Sequence, residues 1–391
     1  MHFLFIRTKK SVFDIPWALM ELKHHVSILE EFEFDPLGDD NNPEAYESVT
    51  QQIKDHVFDF VISYLFIPKV STICEKLSVN YISWTYDSPL VSLFHPSIYN
   101  LHNYTFVFDR TEYERLLKRN IPHLYHLPLG VNLSRTGALN ITPEDEKKYA
   151  CDISFIGNLY EENSYNTIIH LFPEHLALEL KTYLMKNLCC WQNVKSWPSV
   201  SPAVTDFITQ TLYGGNWNRW DMDQSLYYGL LILTRKLAEM DRITVLNTLA
   251  EHYSVELYTT SDTRILNGIH VNKGVDYYTD MNKIFYLSKI NLNITLPSIE
   301  TGIPQRIFDI MGSGGFVLTN YQEEIDDLFT IGKDIEVFHD LQELLEKCAY
   351  YLTHEKERLT IAMNGYMKVR ECHSYIHRIN QILHTIEREK H

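Results

Sequence analysis

A segment in the last third of the chain combines residue types that could bind a charged, hydroxylated ligand. Glu300, Gly302 and Pro304 fall in a short loop, and Arg306 and Asp309 follow in a helical pattern. The free amide groups and the dipole at the start of a helix attract anions. Arginine offers a planar fork of donors suited to a diphosphate, and an aspartate can accept from a pair of sugar hydroxyls. The segment therefore predicts an anion site beside a hydroxyl-binding carboxylate.

The elements around this segment must place it at the edge of a sheet. Ile290–Leu296 and Phe316–Leu318 read as buried strands, with a helix between them that opens near Arg306 and has Asp309 in its first turn. Open parallel sheets bind ligands in the crevice at the carboxyl ends of their strands. The candidate residues are accordingly those that come directly after strands.

The first half of the chain predicts a sheet of the same kind, because apolar runs alternate there with helical patterns. The predicted strands are His2–Ile6, Val26–Leu29, Phe58–Tyr64, Tyr81–Trp84, Thr105–Phe108 and Leu124–Leu127. A second series starts at Asp152–Gly157 and continues, after a helical stretch, with Val255–Tyr258, Ile269–Asn272 and the two strands named above. No Gly-x-Gly-x-x-Gly follows the first strand, which argues against a nicotinamide or flavin dinucleotide.

The segment Gly302-Ile-Pro-Gln-Arg-Ile-Phe-Asp-Ile-Met-Gly-Ser-Gly resembles the donor-sugar site of the CgeB-like spore-maturation glycosyltransferases. Ser83-Trp-Thr-Tyr-Asp-Ser-Pro-Leu and Phe106-Val-Phe-Asp-Arg-Thr-Glu-Tyr-Glu-Arg-Leu resemble the N-terminal domain usually joined to it. The resemblance covers residues 55–135 and 150–375 and is weak over 161–240. It implies an α/β protein of the glycosyltransferase B fold, with two facing Rossmann-like domains, a helical insert in the second domain and a helical C-terminal tail.

The expected boundaries follow from this resemblance and from the strand pattern. Residues 1–132 form the acceptor-side domain, 133–149 the linker, and 150–370 the nucleotide-sugar-binding domain with its helical insert at 161–240. Residues 371–391 form a final helix, whose apolar stripe could dock on the first domain as in other B-fold proteins.

The resemblance also implies roles for individual residues. Arg306 would bear the charge of the leaving diphosphate and Asp309 would hold the ribose, although Glu300 and Asp309 stand nine residues apart where the family has about eight. The expected donor-binding residues are Gly157, Asn158, Thr259, Lys273, Gly274, Val275, Gly302, Pro304, Arg306 and Asp309, with Lys273–Val275 at the nucleobase. The expected catalytic residues are Asp87, His95, Glu300 and Arg306, of which Asp87 would orient or deprotonate an acceptor hydroxyl.

Composition excludes some partners and compartments. The formal charge of −16 over 391 residues opposes a nucleic-acid partner, and the basic residues Arg115, Lys118 and Arg119 read as one helix face. No apolar run approaches the length of a membrane span, and the N-terminal run is too short for a signal peptide. The six scattered cysteines fit a reducing, cytoplasmic setting.

Metal chemistry finds little support in the sequence. Asp221-Met-Asp223 matches a metal-binding triplet of another glycosyltransferase fold, but it lies in the helical insert and not after a strand. The pairs His123/His126 and His24/His25 are not accompanied by the cysteine or acidic residues that would complete a set of metal ligands. Tryptophans at 191, 197, 217 and 220 indicate the core of a small helical subdomain, or faces for an acceptor sugar.

Composition and spacing alone predict a two-domain α/β protein with an anion site in its second half. The family resemblance implies a retaining, metal-independent glycosyltransferase that needs no cofactor and takes a nucleotide-sugar donor and an unknown saccharide or protein acceptor. Two alternatives remain open: a B-fold sugar-nucleotide epimerase, and a non-catalytic binding or assembly protein of a spore or cell surface.

Overall fold

The computed structural model describes residues 1–8, 12–34, 43–137, 139–191, 199–215 and 221–389. Within these ranges the chain forms two parallel sheets of six strands each. Trp197, Trp217 and Trp220, parts of the expected helical insert and the last two residues of the expected tail lie outside them. No helix in the described ranges has the length and apolar character needed to span a membrane.

The first sheet has the order β2-β1-β3-β4-β5-β6, and all its neighbouring strands are parallel. Every residue of β3 and β5 is buried, as expected for central strands covered on both faces. The strands are β1 (His2–Thr8), β2 (His25–Phe34), β3 (Phe60–Tyr64), β4 (Asn80–Trp84), β5 (Asn103–Val107) and β6 (Leu124–His126). The helices between them are α1 (Asp14–Glu21), α2 (Pro43–Asp55), α3 (Pro68–Leu77) and α4 (Arg110–Leu117), with 3₁₀ turns at Val91–Phe94 and Pro96–Tyr99.

The connection to the second sheet contains two short helices, α5 (Leu133–Thr136) and α6 (Pro143–Tyr149). Helix α6 begins with a capping box, in which the Thr142 hydroxyl accepts from the Asp145 amide and the Asp145 carboxylate accepts from the Thr142 amide.

The second sheet has the order β12-β11-β10-β7-β8-β9 and is also parallel throughout. Its strands are β7 (Cys151–Ile156), β8 (Val255–Tyr258), β9 (His270–Asn272), β10 (Ser288–Asn293), β11 (Val317–Asn320) and β12 (Glu336–Phe338). Strand β10 ends at Asn293, three residues before the predicted Leu296, because the chain leaves the sheet there to line a cleft. The predicted α/β class with two Rossmann-like sheets is confirmed.

A helical region separates β7 from β8. It comprises α7 (Ser164–Ile168), a 3₁₀ turn at Ile169–Leu171, α8 (Glu174–Asn187), α9 (Pro202–Tyr213), α10 (Gln224–Tyr228), a π-helix at Gly229–Thr234 and α11 (Arg235–Ala250). The apolar side chains of α8, α9 and the π-helix form a small core of their own. The region extends to Ala250, beyond the predicted 240, because α11 continues without a break from the π-helix and packs on β8.

The remaining helices cover the second sheet and return to the first. They are α12 (Asp280–Leu287), α13 (Gln305–Gly312), α14 (Ile325–Leu328), α15 (Leu341–Thr353), α16 (Glu355–Cys372) and α17 (Tyr375–Glu389). Helix α17 packs on α1 of the first domain and buries the stripe Tyr375, Ile379, Ile382, Leu383 and Ile386.

The chain thus passes between the domains twice, at neighbouring points. Val131 and Ser374 pair as a parallel bridge, in which the Val131 amide donates to the His373 carbonyl over 2.9 Å and the Tyr375 amide donates to the Val131 carbonyl over 2.8 Å. The two passages are in close contact, since a Cβ on Gly130 would lie only 2.6 Å from the His373 carbonyl oxygen.

Candidate active site

A cleft of about 400 Å³ lies where loops from the two domains meet. One loop follows β4 of the first sheet, and four others follow β7, β8, β9 and β10 of the second. Because parallel strands present their carboxyl ends at one edge, these loops converge although they are distant in sequence. The residues predicted from sequence that line the cleft are Asp87, Gly157, Asn158, Thr259, Gly274, Val275, Pro304 and Arg306.

Two arginines lie in this cleft, and neither forms an ion pair with a carboxylate in the part of the chain that the structure describes. Arg306, the second residue of α13, is half-buried, with its guanidinium over the Phe285 ring and in contact with Met281 Sδ. Arg242 of α11 is 8% exposed. Burial lowers the pKa of both guanidiniums; the Asp309 charge opposes this shift for Arg306, and Tyr160 opposes it for Arg242. Two cations in one cleft, neither bonded to a carboxylate of the described residues, make an anion a favourable ligand here.

Arg242 is held in place by two backbone carbonyls and an aromatic ring. Its Nη1 donates to the Asn158 carbonyl and its Nη2 to the Ile294 carbonyl over 2.8 Å, while its Nε is buried without a hydrogen-bond partner. The Tyr160 ring lies 4.7 Å from the guanidinium carbon. Arg242 thus joins the loops after β7 and β10 and brings a positive charge to both.

The turn after β7 allows close approach to this arginine. A Cβ on Gly157 would lie 3.8 Å from Arg242 Nη1 and 3.4 Å from the Phe155 ring. The sequence places no cation directly after Gly157; the charge comes from Arg242, 85 residues later in the helical region. Sequence reasoning missed Arg242, since only the packing of α11 against β7 and β8 brings it to the cleft.

The loops after β8 and β9 form the opposite wall. The Thr259 amide donates to the Asn272 carbonyl over 3.2 Å, and a Cβ on Gly274 would lie 2.8 Å from Thr260 Cγ2. Gly274 and Val275 line the cleft, whereas the Lys273 side chain is exposed and does not line it. A role for this loop at the nucleobase would therefore rest on its backbone groups and stays a prediction.

Asp309 occupies a different place from the one predicted. It is the fifth residue of α13, in the second turn and not the first, and its side chain is 2% exposed. Its Oδ1 accepts from Arg135 Nη2 over 2.6 Å and from Gln305 Nε2 over 3.0 Å. The Asp309 carboxylate is thus bound within the protein and does not line the cleft, so the prediction that it holds a ribose gains no support from this geometry.

The same cluster links three parts of the chain. Arg135 of α5 also contacts Asp14 of α1, with Nε 3.4 Å from Oδ1, and stacks at 4.0 Å on the Tyr277 ring. The Tyr277 hydroxyl donates to Asp14 Oδ2 over 3.1 Å. Burial raises the pKa of the Asp14 carboxyl, and Arg135 opposes that rise. The cluster therefore ties the first domain to the second beneath the cleft.

The loop predicted to bind an anion does bind one, but the anion is the protein's own Asp109. The amides of Glu300, Thr301 and Gly302 donate to Asp109 Oδ2 over 2.8, 3.3 and 3.3 Å. Asp109 also caps α4, accepting from the Glu112 amide over 3.1 Å. The Gly302 amide is thus occupied by the first domain and does not line the cleft, so its predicted donor-binding role stays a prediction without support here.

The Glu300 carboxylate binds Arg115 of α4 over 2.7 Å and does not line the cleft. Burial raises the pKa of Glu300 to about 7, against the opposing charge of Arg115. This contact belongs to the interface between the domains, so the predicted catalytic role of Glu300 gains no support from its position. The basic helix face is likewise used internally, since Arg119 pairs with Asp221 over 3.1 Å.

Asp87 is the first-domain carboxylate in the cleft. Its side chain is exposed to the cleft, yet the surrounding protein raises the pKa of the carboxyl, and Arg235 of α11 opposes that rise. Beneath it, the buried Glu112 accepts from the Leu90 amide over 2.8 Å and so supports the Asp87–Leu90 loop.

His95 does not reach the cleft. Its Nδ1 accepts from the Ser97 amide over 3.1 Å and caps the 3₁₀ turn at Pro96–Tyr99. Burial lowers the pKa of the His95 ring. Its predicted catalytic role stays a prediction, since His95 serves here as a cap and lines neither the cleft nor its walls.

The structure gives no sign of a metal cluster: no group of three potential ligands occurs among the residues it describes. Asp223 instead caps α10, accepting from the Leu226 amide over 2.9 Å. Trp191, the tryptophan of the insert that the structure describes, is buried against the Phe338 ring.

Residues 235–384 match the model of the Glycosyl transferase-like family. HepE of Anabaena, solved with UDP and glucose, has a TM-score of 0.56 at 10% identity, covering 99% of both chains. A glycosyltransferase from Rickettsia africae has a TM-score of 0.56 at 12% identity over 98% of both chains. Sucrose-phosphate synthase from Thermosynechococcus elongatus has a TM-score of 0.52 at 10% identity over the full length of both. No curated protein matches in sequence.

The structural matches show that the whole chain has the glycosyltransferase B fold. The family match covers α11 to α17, which includes Arg242, Arg306 and the loops after β8, β9 and β10. Together they confirm the expectation of a glycosyltransferase-type enzyme.

Proposed function

We propose that this protein transfers a sugar from a nucleoside-diphosphate sugar, with UDP as the nucleotide, to a hydroxyl acceptor. The observation that carries the proposal is the pair Arg242 and Arg306 in one cleft, neither paired with a carboxylate in the described ranges. A diphosphate would bind to both guanidiniums and neutralise charge that no direct ion pair neutralises in the described ranges. The choice of uridine is supported by HepE, which was solved with UDP and with UDP-glucose.

The geometry of the cleft supports separate roles for its loops, each binding a different part of the donor. The backbone after β7, at Gly157 and Asn158, would lie along the diphosphate, and the loops after β8 and β9 would hold the nucleoside. As the bond to the sugar breaks, negative charge grows on the leaving diphosphate. Arg242 and Arg306 are fixed in place beforehand and would stabilise that charge without reorganising.

Asp87 would act on the acceptor. It enters the cleft from the first domain, opposite the residues assigned to the donor. Its carboxylate could accept a hydrogen bond from the attacking hydroxyl and orient it toward the sugar. A raised pKa suits this role, since it makes the carboxylate a stronger acceptor.

Three finer features complete the proposal. The two arginines would take the role that a divalent cation has in other transferases, so the reaction would need no metal. The resemblance to the CgeB-like family suggests retention of the anomeric configuration. All six cysteines are free thiols, which fits a cytoplasmic place of action.

The test is calorimetric titration of the protein with UDP, ADP, GDP and CDP in the presence of EDTA, followed by transfer assays with the matching sugars. The proposal expects UDP to bind and a UDP-sugar to be consumed only when an acceptor is present. Conversion of the donor sugar without an acceptor would indicate an epimerase. Binding without consumption of donor across an acceptor panel would indicate a binding protein. If none of the nucleotides binds, the proposal is wrong.

A further inference from the structure

A second cleft of about 410 Å³ adjoins the first and opens on the other side of Asp87. Both clefts share Asp87, Tyr160, Leu296 and Ile299 as lining residues. A ligand in the second cleft would therefore meet a donor in the first at the Asp87 carboxylate.

The chemistry of the two clefts differs. The first mixes apolar side chains with about as much polar surface, to which two arginines, three threonines and two asparagines contribute. The second is lined mainly by aliphatic side chains, with Asp87 and Arg235 as its charged residues; the aliphatic ones include Leu65, Leu90, Val91, Leu230, Leu231 and Ile299. A free sugar would leave most of its hydroxyl groups against this wall without partners, at a cost for each. An apolar body would instead gain from burial there.

The backbone that builds this cleft is unusual on both sides. Leu65 and Tyr160 line it with φ angles of 60° and 62°, in the left-handed region that non-glycine residues seldom adopt. Leu230, Leu231 and Thr234 come from the π-helix Gly229–Thr234, a form of helix found often at functional sites. Strained backbone of this kind persists at ligand sites, where the surrounding structure holds it in place.

From these observations we infer that the second cleft is the acceptor site, and that the acceptor is a hydroxyl carried on an apolar body, aromatic or polycyclic, and not a free saccharide. The inference rests on the proposed function. The apolar body packs between the Leu90–Val91 turn of the first domain and the π-helix of the second. Its hydroxyl reaches the Asp87 carboxylate where the two clefts join, and there it faces the donor. The Arg235 guanidinium favours the charged form of this carboxylate.

The volume of the cleft agrees with such an occupant. About 410 Å³ lies in the range of sites for compact small molecules, which combine apolar walls with few placed polar groups. Here those groups are the Asp87 carboxylate, the Arg235 guanidinium and the hydroxyls of Ser88, Thr234 and Ser298.

The test compares 2-naphthol with methyl glucoside as acceptors, using the UDP-sugar that binds most tightly. A value of kcat/KM at least about tenfold higher for 2-naphthol is expected, because an aromatic body would be buried. Leu230→Gln, which keeps the side-chain size, and Val91→Thr, which is nearly isosteric, should each raise KM for 2-naphthol about tenfold. Both should leave the UDP dissociation constant unchanged, which also shows that they are folded.

Leu178→Gln is the matched control, since Leu178 lies on α8, is 61% exposed and lines neither cleft. It should change nothing. If UDP binds but methyl glucoside is used as well as 2-naphthol, or if Leu230→Gln and Val91→Thr leave KM unchanged, the acceptor inference is wrong while the proposed function stands. Failure of UDP and the other nucleotides to bind would overturn both.

Discussion

Arg135 donates from Nη2 to Asp309 Oδ1 over 2.6 Å, in a contact between side chains that are each 2% exposed. One residue comes from the connection between the domains, and the other from the helix that also carries Arg306. The ion pair therefore positions α13 relative to the first domain, and with it one of the two cations of the cleft.

The first prediction concerns this pair. Asp309→Asn leaves Arg135 with a weaker partner in a buried site, so the free energy of unfolding should fall by about 3 kcal/mol or more. Nucleotide affinity in the folded variant should change much less than in Arg306→Ala, because Asp309 positions α13 but does not itself line the cleft. Urea unfolding and calorimetry measure the two quantities.

Asp262→Asn is the control for that substitution. Its ion pair with Arg264 lies on the surface, where such pairs contribute little. A large loss of UDP affinity in Asp309→Asn with unchanged stability would restore the ribose-binding role expected from the sequence.

The second prediction tests the diphosphate site. Arg306→Ala should weaken UDP binding by roughly 1.5–3 kcal/mol, the range of a hydrogen bond to a charged group. Arg242→Ala should have an effect of similar size, and calorimetry of each variant supplies the measurement. Arg264→Ala, with a side chain that is 91% exposed and lies outside the cleft, should bind UDP like the wild type. Wild-type affinity in both cleft variants would rule out the assignment of the diphosphate.

The third prediction separates acceptor chemistry from donor binding. Asp87→Asn should lower kcat and kcat/KM together and leave UDP affinity nearly unchanged, as expected of a residue that acts in the transition state. Because the pKa of Asp87 is raised, activity of the wild type should fall on acidification at a pH above the usual carboxylate range. A pH–rate profile in which Asp87→Asn keeps the same acid limb and full activity would contradict this role.

The fourth prediction concerns Glu112, which is 1% exposed and whose pKa is raised by burial to about 8. When a carboxyl group has a higher pKa in the folded state than in the unfolded state, its contribution to the free energy of unfolding is most favourable at low pH, where the group is protonated in both states. It loses that contribution as the pH rises from about 4.5 to 8. Glu112→Gln removes the titration and can still accept from the Leu90 amide. Relative to wild type, the variant should gain stability between pH 5 and pH 9 by an amount on the order of a few kcal/mol.

Thermal unfolding at a series of pH values measures this effect. Glu251→Gln, at the exposed end of α11, is the matched control and should follow the wild-type curve. A difference between Glu112→Gln and wild type that does not change with pH would show that Glu112 does not titrate in this range.

The sequence was sufficient for the fold and for part of the site. Apolar runs marked the strands, and the rule that ligands bind after parallel strands identified Asp87, Gly157, Thr259 and Val275 as cleft residues. These inferences depend on local pattern and on the geometry of sheets, both of which can be read from one chain.

The remaining assignments depended on contacts between distant residues. The free amides of the loop at 300–302 signal an anion, but nothing local shows that Asp109, almost 200 positions earlier, supplies it. An aspartate suited to hydroxyls is equally suited to an arginine, and Arg135 lies 174 positions before Asp309. Arg242 was missed for the same reason, since its neighbours in sequence carry no mark of the cleft.

The chain crosses between the domains at Val131 and again at Ser374, and this limits how the protein can be divided into fragments. The first domain is not a continuous piece of chain, because α17 packs on α1 after the second domain is complete. A fragment ending at residue 132 would expose the surface that Ile379 and Ile382 cover in the intact chain. Proteolytic cleavage between residues 139 and 142 should therefore yield two polypeptides that migrate as one particle, and a first domain made alone would need α17 fused to it.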